Sequence, residues 1–268
     1  MEIYFDNSAT TQVIPRVADV VMRVMREEYG NPSSLHMKGY GAEKLVKGAR
    51  ETIAQALKVN EKEIIFTSGG TESDNYALRG MMHSRKANGR KHLITTTIEH
   101  PAILQTCKAL EKEGFRVTRL PVDQHGLVDL KQLEEAICED TVLVSIMAAN
   151  NEIGTIEPIA EIGKLCHDKG VYFHTDAVQA FGHIPLDVKA MNIDMLSLSG
   201  HKINGPKGVG AIYIRSGLLL DPFITGGGQE KGRRSGTENV PGIVGMGKAA
   251  ELAAASMEER IQYETELR

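Results

Sequence analysis

Short runs of β-branched and apolar residues alternate with longer amphipathic segments along this chain, and that alternation constrains the fold more than any other feature. The runs Glu63–Thr67, His92–Thr96, Arg116–Leu120, Val142–Ala148, Val171–Thr175, Met195–Leu198 and Gly208–Ile214 have the length and composition of strands. Helices are expected over Pro15–Tyr29, Ala42–Lys58, Thr71–Ala87, Pro101–Glu113 and Ile159–Lys169. In the second of these, Leu45, Ala49, Ile53 and Ala56 recur at steps of three and four, which places them on one face. Pro15 and Pro101 stand where a first helical position tolerates proline. Val142 to Ala148 is apolar on both faces, as a central strand covered on both sides must be. Strand and helix in alternation predict an α/β fold, with a mostly parallel sheet flanked by helices. A last helical pattern, with Ala253, Ala254 and Ala255 inside it, runs from about Val244 to Arg268 without a stop signal.

The 268 residues suffice for one large domain or two modest ones with a substantial core. With 31 Lys and Arg against 35 Asp and Glu, the formal charge is -4, which gives no electrostatic reason to expect a nucleic acid or an anionic membrane as partner. Three cysteines without framework spacing fit a reducing compartment rather than a secreted disulfide scaffold. The opening Met1-Glu2-Ile3-Tyr4-Phe5-Asp6 lacks the basic and apolar regions of a secretory signal, and no apolar window is long enough to span a bilayer. A cytoplasmic globular protein is the expectation.

Polar residues gather where predicted strands end. Ser68-Gly69-Gly70-Thr71 follows a strand and opens a helix, so free amides, two glycines and two hydroxyls meet there. Such a turn is either a tight connection or a phosphate cradle, and it matches neither a Walker loop nor a dinucleotide fingerprint. Ser199-Gly200-His201-Lys202 follows another strand, with Gly205-Pro206-Lys207-Gly208 just beyond. Lys202 is a solvated charge unless it is desolvated, in which case its amine becomes a nucleophile able to form a Schiff base. Asp176 closes a third strand, with Gln179 three residues on. A carboxylate there either caps the next segment or faces a partner such as a protonated ring nitrogen. His100 and Asn150-Asn151-Glu152 follow two more strands, at the edge where open α/β sheets hold ligands.

These residues resemble the cysteine desulfurases of the nitrogenase and iron–sulfur maturation type. The resemblance is carried by His100, by Asn151-Glu152, by His174-x-Asp176-Ala177-x-Gln179 and by Ser199-Gly200-His201-Lys202-x-x-Gly205-Pro206-Lys207-Gly208. Tyr4 to Thr11, Tyr29 to His36, Gly226 to Glu230 and Arg234 to Thr237 are similar to that family as well. The resemblance implies the type I fold of transferases dependent on pyridoxal 5'-phosphate (PLP), shared with class V aminotransferases, and a homodimer. It implies that L-cysteine is converted to L-alanine, with the sulfur passed to an enzyme persulfide and on to an acceptor or iron–sulfur scaffold protein. By the same resemblance Lys202 carries PLP, Asp176 holds the pyridine nitrogen protonated, His100 stacks on the ring and Gln179 bonds the phenolic oxygen. Gly70, Thr71, Ser199 and His201 grip the phosphate, Thr237 joins them from the other subunit, and Asn151 lies beside the ring. Lys202 and His100 are the expected catalytic residues; no metal is expected.

The family's catalytic cysteine and an arginine for the substrate carboxylate lie beyond the position equivalent to Arg268. The expected organisation is therefore residues 1–14 in a small domain, 15–250 as the large PLP-binding domain and 251–268 as the start of the remaining small domain. Cys107 and Cys166 share apolar helix faces with Ile103 and Ile162, and Cys138 follows Ile137 near a helix end, so all three are expected to be buried or half-buried. Two alternatives stand beside a desulfurase: another class V PLP reaction, such as selenocysteine lysis or transamination, and a PLP-binding scaffold without turnover.

Overall fold

The computed structural model describes residues 3–267. Seven strands, β1 (Ile64–Thr67), β2 (His92–Thr96), β3 (Arg116–Leu120), β4 (Thr141–Ser145), β5 (Tyr172–Asp176), β6 (Met195–Ser199) and β7 (Gly210–Ile214), form one sheet. Their spatial order is β1-β7-β6-β5-β4-β2-β3. From β3 to β6 every pairing is parallel, and β7 runs antiparallel to both of its neighbours. Because β7 reverses direction between β6 and β1, the C-terminal ends of β1, β2, β4, β5 and β6 share one edge.

Eight helices surround the sheet: α1 (Pro15–Glu27), α2 (Met37–Ala56), α3 (Gly70–Met82), α4 (Pro101–Lys112), α5 (Leu130–Ala136), α6 (Ile159–Asp168), α7 (Val240–Ala255) and α8 (Met257–Leu267). Two buried clusters fill the spaces between layers. One joins α1, α2, α6 and α7 to the sheet through residues such as Val24, Ile53, Phe173, Leu196 and Met246. The other packs α3 and α4 on the opposite face through Tyr76, Met81, Ile103, Leu110 and Ile212. Strands β1, β2, β4, β6 and β7 are buried along their whole length, whereas edge strand β3 begins exposed at Arg116. Full burial on both faces explains why these strands read as continuous apolar runs.

Local chemistry shifts several element ends from their expected places. Helix α2 starts five residues earlier than the apolar pattern suggests, at Met37, because the His36 ring caps it by accepting from the Gly39 N–H at 3.3 Å. The C-terminal pattern is two helices rather than one: α7 starts at Val240 behind an Asn239 cap that accepts from the Gly242 N–H, and Ser256 leaves helical geometry before α8. Ile146 and Ala148 lie past the end of β4, yet they still donate to the carbonyls of His174 and Asp176 at 3.2 and 2.9 Å.

The glycine-rich segment 226–237 is held down by two ion pairs. Glu230 receives Arg50 through both guanidinium nitrogens at 2.7 Å and also accepts from the Phe66 N–H at 3.1 Å. Arg234 binds Glu72 of α3 in the same forked manner, at 2.8 and 3.1 Å. With the Glu230 side chain only 4% exposed, removing it leaves Arg50 with only the Ile64 carbonyl as acceptor and the Phe66 amide with none. We expect Glu230→Ala to lower stability by about 3–5 kcal/mol in urea unfolding, far more than Glu51→Ala, whose ion pair with Lys47 is solvent-exposed.

Candidate active site

Four strand ends and one strand-to-helix turn converge on a cavity of about 260 Å³ at the shared C-terminal edge of the sheet. Its lining includes Gly70, Thr71, His100, Asn151, Asp176, Gln179, Ser199, His201 and Lys202, so nine of the ten expected site residues meet there. Thr237 does not: it is exposed and lines a separate cleft with Ser68, Gly208 and Glu230. A larger cavity, of about 430 Å³, lies at the opposite edge of the sheet between Tyr172, Asp194 and Arg215. Its two carboxylates, Glu63 and Asp194, are already bonded to backbone amides and, for Asp194, to Arg215.

One end of the first cavity is built for an anion. Gly69, at φ +154°, caps α3 without a side-chain acceptor, and Gly70 and Thr71 of the first turn line the cavity, as a helix N-terminus that receives an anion would. A Cβ at Gly70 would stand 2.7 Å from Val178 Cγ2, so only glycine lets the backbone approach this closely. Thr71, Ser199 and His201 add side-chain donors at the same end. The His201 ring pairs with Thr10 Oγ1 at 3.1 Å, and burial, helped by Lys202 and Lys207, lowers its pKa.

Asp176 lines the same cavity. It is 6% exposed, and its Oδ1 accepts from the Val178 N–H at 2.9 Å. Burial raises its pKa, while the Val178 amide, His100 and Lys202 pull it back down. Lys202 is half-buried; desolvation lowers its pKa, opposed by Asp176, Asp6 and Glu152. A lysine shifted in that direction holds a larger fraction of free, nucleophilic amine near neutrality. His100 is the N-cap of α4, accepting at Nδ1 from the Ala102 N–H at 3.1 Å, which fixes its ring at the mouth of the cavity.

The N-terminal segment closes one side of the cavity, which the strand-end reasoning did not foresee. Lys202 Nζ donates to the carbonyls of Ser8 and Ala9, and Gln179 donates to the Ser8 carbonyl at 2.9 Å. Thr11 is tied to the His201 carbonyl through its amide and hydroxyl at 3.0 and 2.7 Å. Asp74 was missed too, although it lines the cavity. Its signal was present in the sequence, since Asp74, Ala77, Leu78 and Met81 repeat at the spacing of a buried helix face.

The cysteines divide differently from expectation. Cys107 and Cys166 are fully buried, and burial pushes both thiols up to about 12. Cys138 is exposed, a correction to the half-buried reading, because α5 ends at Ala136 and leaves it outside the helix face. It precedes β4, at the edge of the sheet away from the cavity, where Arg116 donates to its sulfur at 3.1 Å. Its pKa is lowered, with the Thr141 contact as the largest cause.

A glycine turn at a helix N-terminus, a half-buried lysine and a buried acid meet at one edge of an α/β sheet, an arrangement suited to an anionic ligand. A family model of the class-V aminotransferases matches residues 3–268, and the chain belongs to that family. Cysteine desulfurase IscS of Methanosarcina thermophila is 56% identical over 96% of this chain and 63% of its own length. Cysteine desulfurase IscS of Clostridium botulinum strain Hall is 54% identical, with 100% and 67% covered. The chain thus spans about two thirds of the length of these curated relatives. Among solved structures, a NifS-like protein superimposes with a TM-score of 0.94 at 47% identity, covering 97% of this chain and 71% of that one. SspA in complex with cysteine gives 0.90 at 43% identity, covering 98% and 78%. The fold is the type I fold of PLP-dependent transferases.

Thiol labelling tests the arrangement of the cysteines. In the native protein, iodoacetamide should modify Cys138 alone, and Cys107 and Cys166 should react only after denaturation. Peptide mass spectrometry reads the order, and native labelling of Cys107 or Cys166 would contradict it.

Proposed function

We propose that the chain binds PLP in the strand-edge cavity and serves a cysteine desulfurase, taking sulfur from L-cysteine and leaving L-alanine. The observation that carries this reading is the convergence of the Gly70–Thr71 turn, Lys202 and Asp176 on one cavity. These residues fit the cofactor. The close-approach turn at Gly70 with Thr71, Ser199 and His201 suits a phosphate, Asp176 suits a pyridinium nitrogen, and Lys202 between them suits the aldehyde carbon. His100 would lie against one face of the ring, Asn151 beside it and Gln179 near the phenolic oxygen. When bound, PLP supplies an electron sink that weakens bonds at the carbons of an attached amino acid.

The chain's own contribution is positioning and proton control. Asp176 holds charge next to the ring nitrogen, a charge-assisted hydrogen bond worth about 1.5–3 kcal/mol. Lys202, with its lowered pKa, binds as a free amine and afterwards holds or returns a proton at the substrate carbon. His100, anchored through Nδ1, keeps Nε2 for proton transfer at the cavity mouth. The resemblance to SspA in complex with cysteine supports cysteine as the substrate class. Residues 15–250 form the cofactor domain in this reading, and the functional unit is a cytoplasmic homodimer in which Thr237 reaches the phosphate site of the partner. The sulfur would leave as a persulfide for an acceptor or iron–sulfur scaffold protein.

Sulfur transfer needs a thiolate within roughly 3–3.5 Å of the substrate sulfur. Cys107 and Cys166 are sealed in the core, and Cys138 stands at the far edge of the sheet. None of the three can serve, so the nucleophile in this reading is supplied by another segment or chain. Borohydride treatment of protein mixed with PLP should fix a pyridoxyl group on the peptide containing Lys202, and Lys202→Ala should abolish it. Attachment to a different lysine in the wild type would contradict the assignment. The 268-residue protein given L-cysteine should release no alanine over many turnovers; sustained release abolished by mutating Cys107, Cys138 or Cys166 would show that the nucleophile lies within this chain.

A further inference from the structure

The floor of the cavity holds more buried acids than cations to face them. Asp74, on the second turn of α3, is 1% exposed, and its Oδ1 has no hydrogen-bond partner. Its contacts are the Ser197 hydroxyl and, 3.8 Å from Oδ1, the Nε2 of His174. His174 brings no charge to balance it. Both ring nitrogens are taken by hydroxyls, Ser145 at 2.9 Å and Ser197 at 3.0 Å, and complete burial lowers its pKa to about 3. Asp176 lines the same cavity and adds a second negative group. Glu99, from the turn after β2, is a further buried acid outside the cavity lining; its Oε1 accepts from Thr96 and the Met147 N–H, and burial lifts its pKa to about 8.

These acids are not equivalent. Asp176 has the Val178 amide and faces Lys202 and His100 across the cavity. Asp74 faces only the neutral His174, a hydroxyl and the two other acids. Two buried carboxylates that line one cavity resist ionising together, and the proton stays on the one lacking countercharge. Burial, then Asp176 and Glu99, raise the pKa of Asp74 well above the usual carboxylate range.

We propose that Asp74 and Asp176 form a one-proton pair, in which Asp74 remains the neutral acid and so keeps Asp176 as the charged carboxylate presented to the cofactor's ring nitrogen. Asp74 is thus a positioning residue, acting through Asp176. This role rests on the reading of the cavity as the PLP site, but the shared proton belongs to the chain itself.

Unfolding of the cofactor-free chain as a function of pH tests the pair. An acid that keeps its proton when folded and loses it when unfolded costs stability as pH rises from its unfolded pKa toward its folded one. Asp74→Asn has no such proton to lose. Its folding equilibrium should therefore gain on the wild type by up to about tenfold per pH unit as pH rises above the ordinary carboxylate range. In an Asp176→Asn background, where the neighbouring charge is gone, the gain should shrink. PLP titration gives a second readout: Asp176→Asn should weaken binding by about tenfold or more, and Asp74→Asn by distinctly less, because its amide stands in for the neutral acid. Parallel stability curves for wild type and Asp74→Asn would overturn the proposal, as would equal loss of PLP affinity in both variants. Failure of the wild type to bind PLP would overturn the cofactor reading instead, and the unfolding curves would still judge the pair. Should Asp74→Asn not fold, carbon-13 spectra of protein labelled at aspartate side-chain carbonyls decide: an acid-form signal that persists well above the ordinary carboxylate range in both wild type and Asp194→Asn supports the pair, and its absence refutes it.

Discussion

The carboxylate of Asp176 is the constraint on which the rest of the cavity depends. A charge buried at the end of an apolar strand is costly unless other groups answer it, and several kcal/mol are at stake. The answers come from elements far apart in sequence: the Val178 amide just after β5, His100 at the cap of α4 and Lys202 after β6. Each can reach Asp176 only because the parallel sheet brings the ends of β2, β5 and β6 to one edge. The anion cradle lies at the same edge because β1, on the far side of β7, runs in the direction of β6. One topological arrangement therefore brings both groups to the same cavity.

Rigidity around that edge is supplied from below and from the side. The fully buried strands and the two apolar clusters hold the strand ends in place. From the side, Ser8 to Thr11 is bonded to Gln179, His201, Lys202 and Asn204, so a segment far away in sequence restrains the lysine turn. Arg50 and Glu230 do the same for the glycine-rich segment, fastening it to β1 rather than leaving it free.

Much of this was legible in the sequence. The seven strands appear within a few residues of their expected positions, because burial on both faces forces continuous apolar runs that leave little ambiguity. The strand-end residues from Gly70 to Lys202 were legible for a related reason: polar groups directly after such runs have few structural uses. What was not legible depends on contacts without a local signature. The start of α2 is set by the His36 cap, and the break at Ser256 separates two helices whose compositions read as one. Cys138 escapes its helix face by two residues, a margin that apolar periodicity does not resolve. The N-terminal segment uses backbone carbonyls of Ser8 and Ala9, and carbonyls are present at every residue. Asp74 was visible only as an acid at a core position, a mismatch between local polarity and helix face that marks a functional or coupled group.

A ring nitrogen held opposite Asp176, as proposed, keeps its proton. Nitrogen-15 spectra of the protein loaded with ring-labelled PLP measure it. The wild type should show a protonated pyridine nitrogen at pH well above that at which free PLP loses this proton, and Asp176→Asn should show the unprotonated form under the same conditions. An unprotonated nitrogen in the wild type, or the same signal in both proteins, would contradict the account.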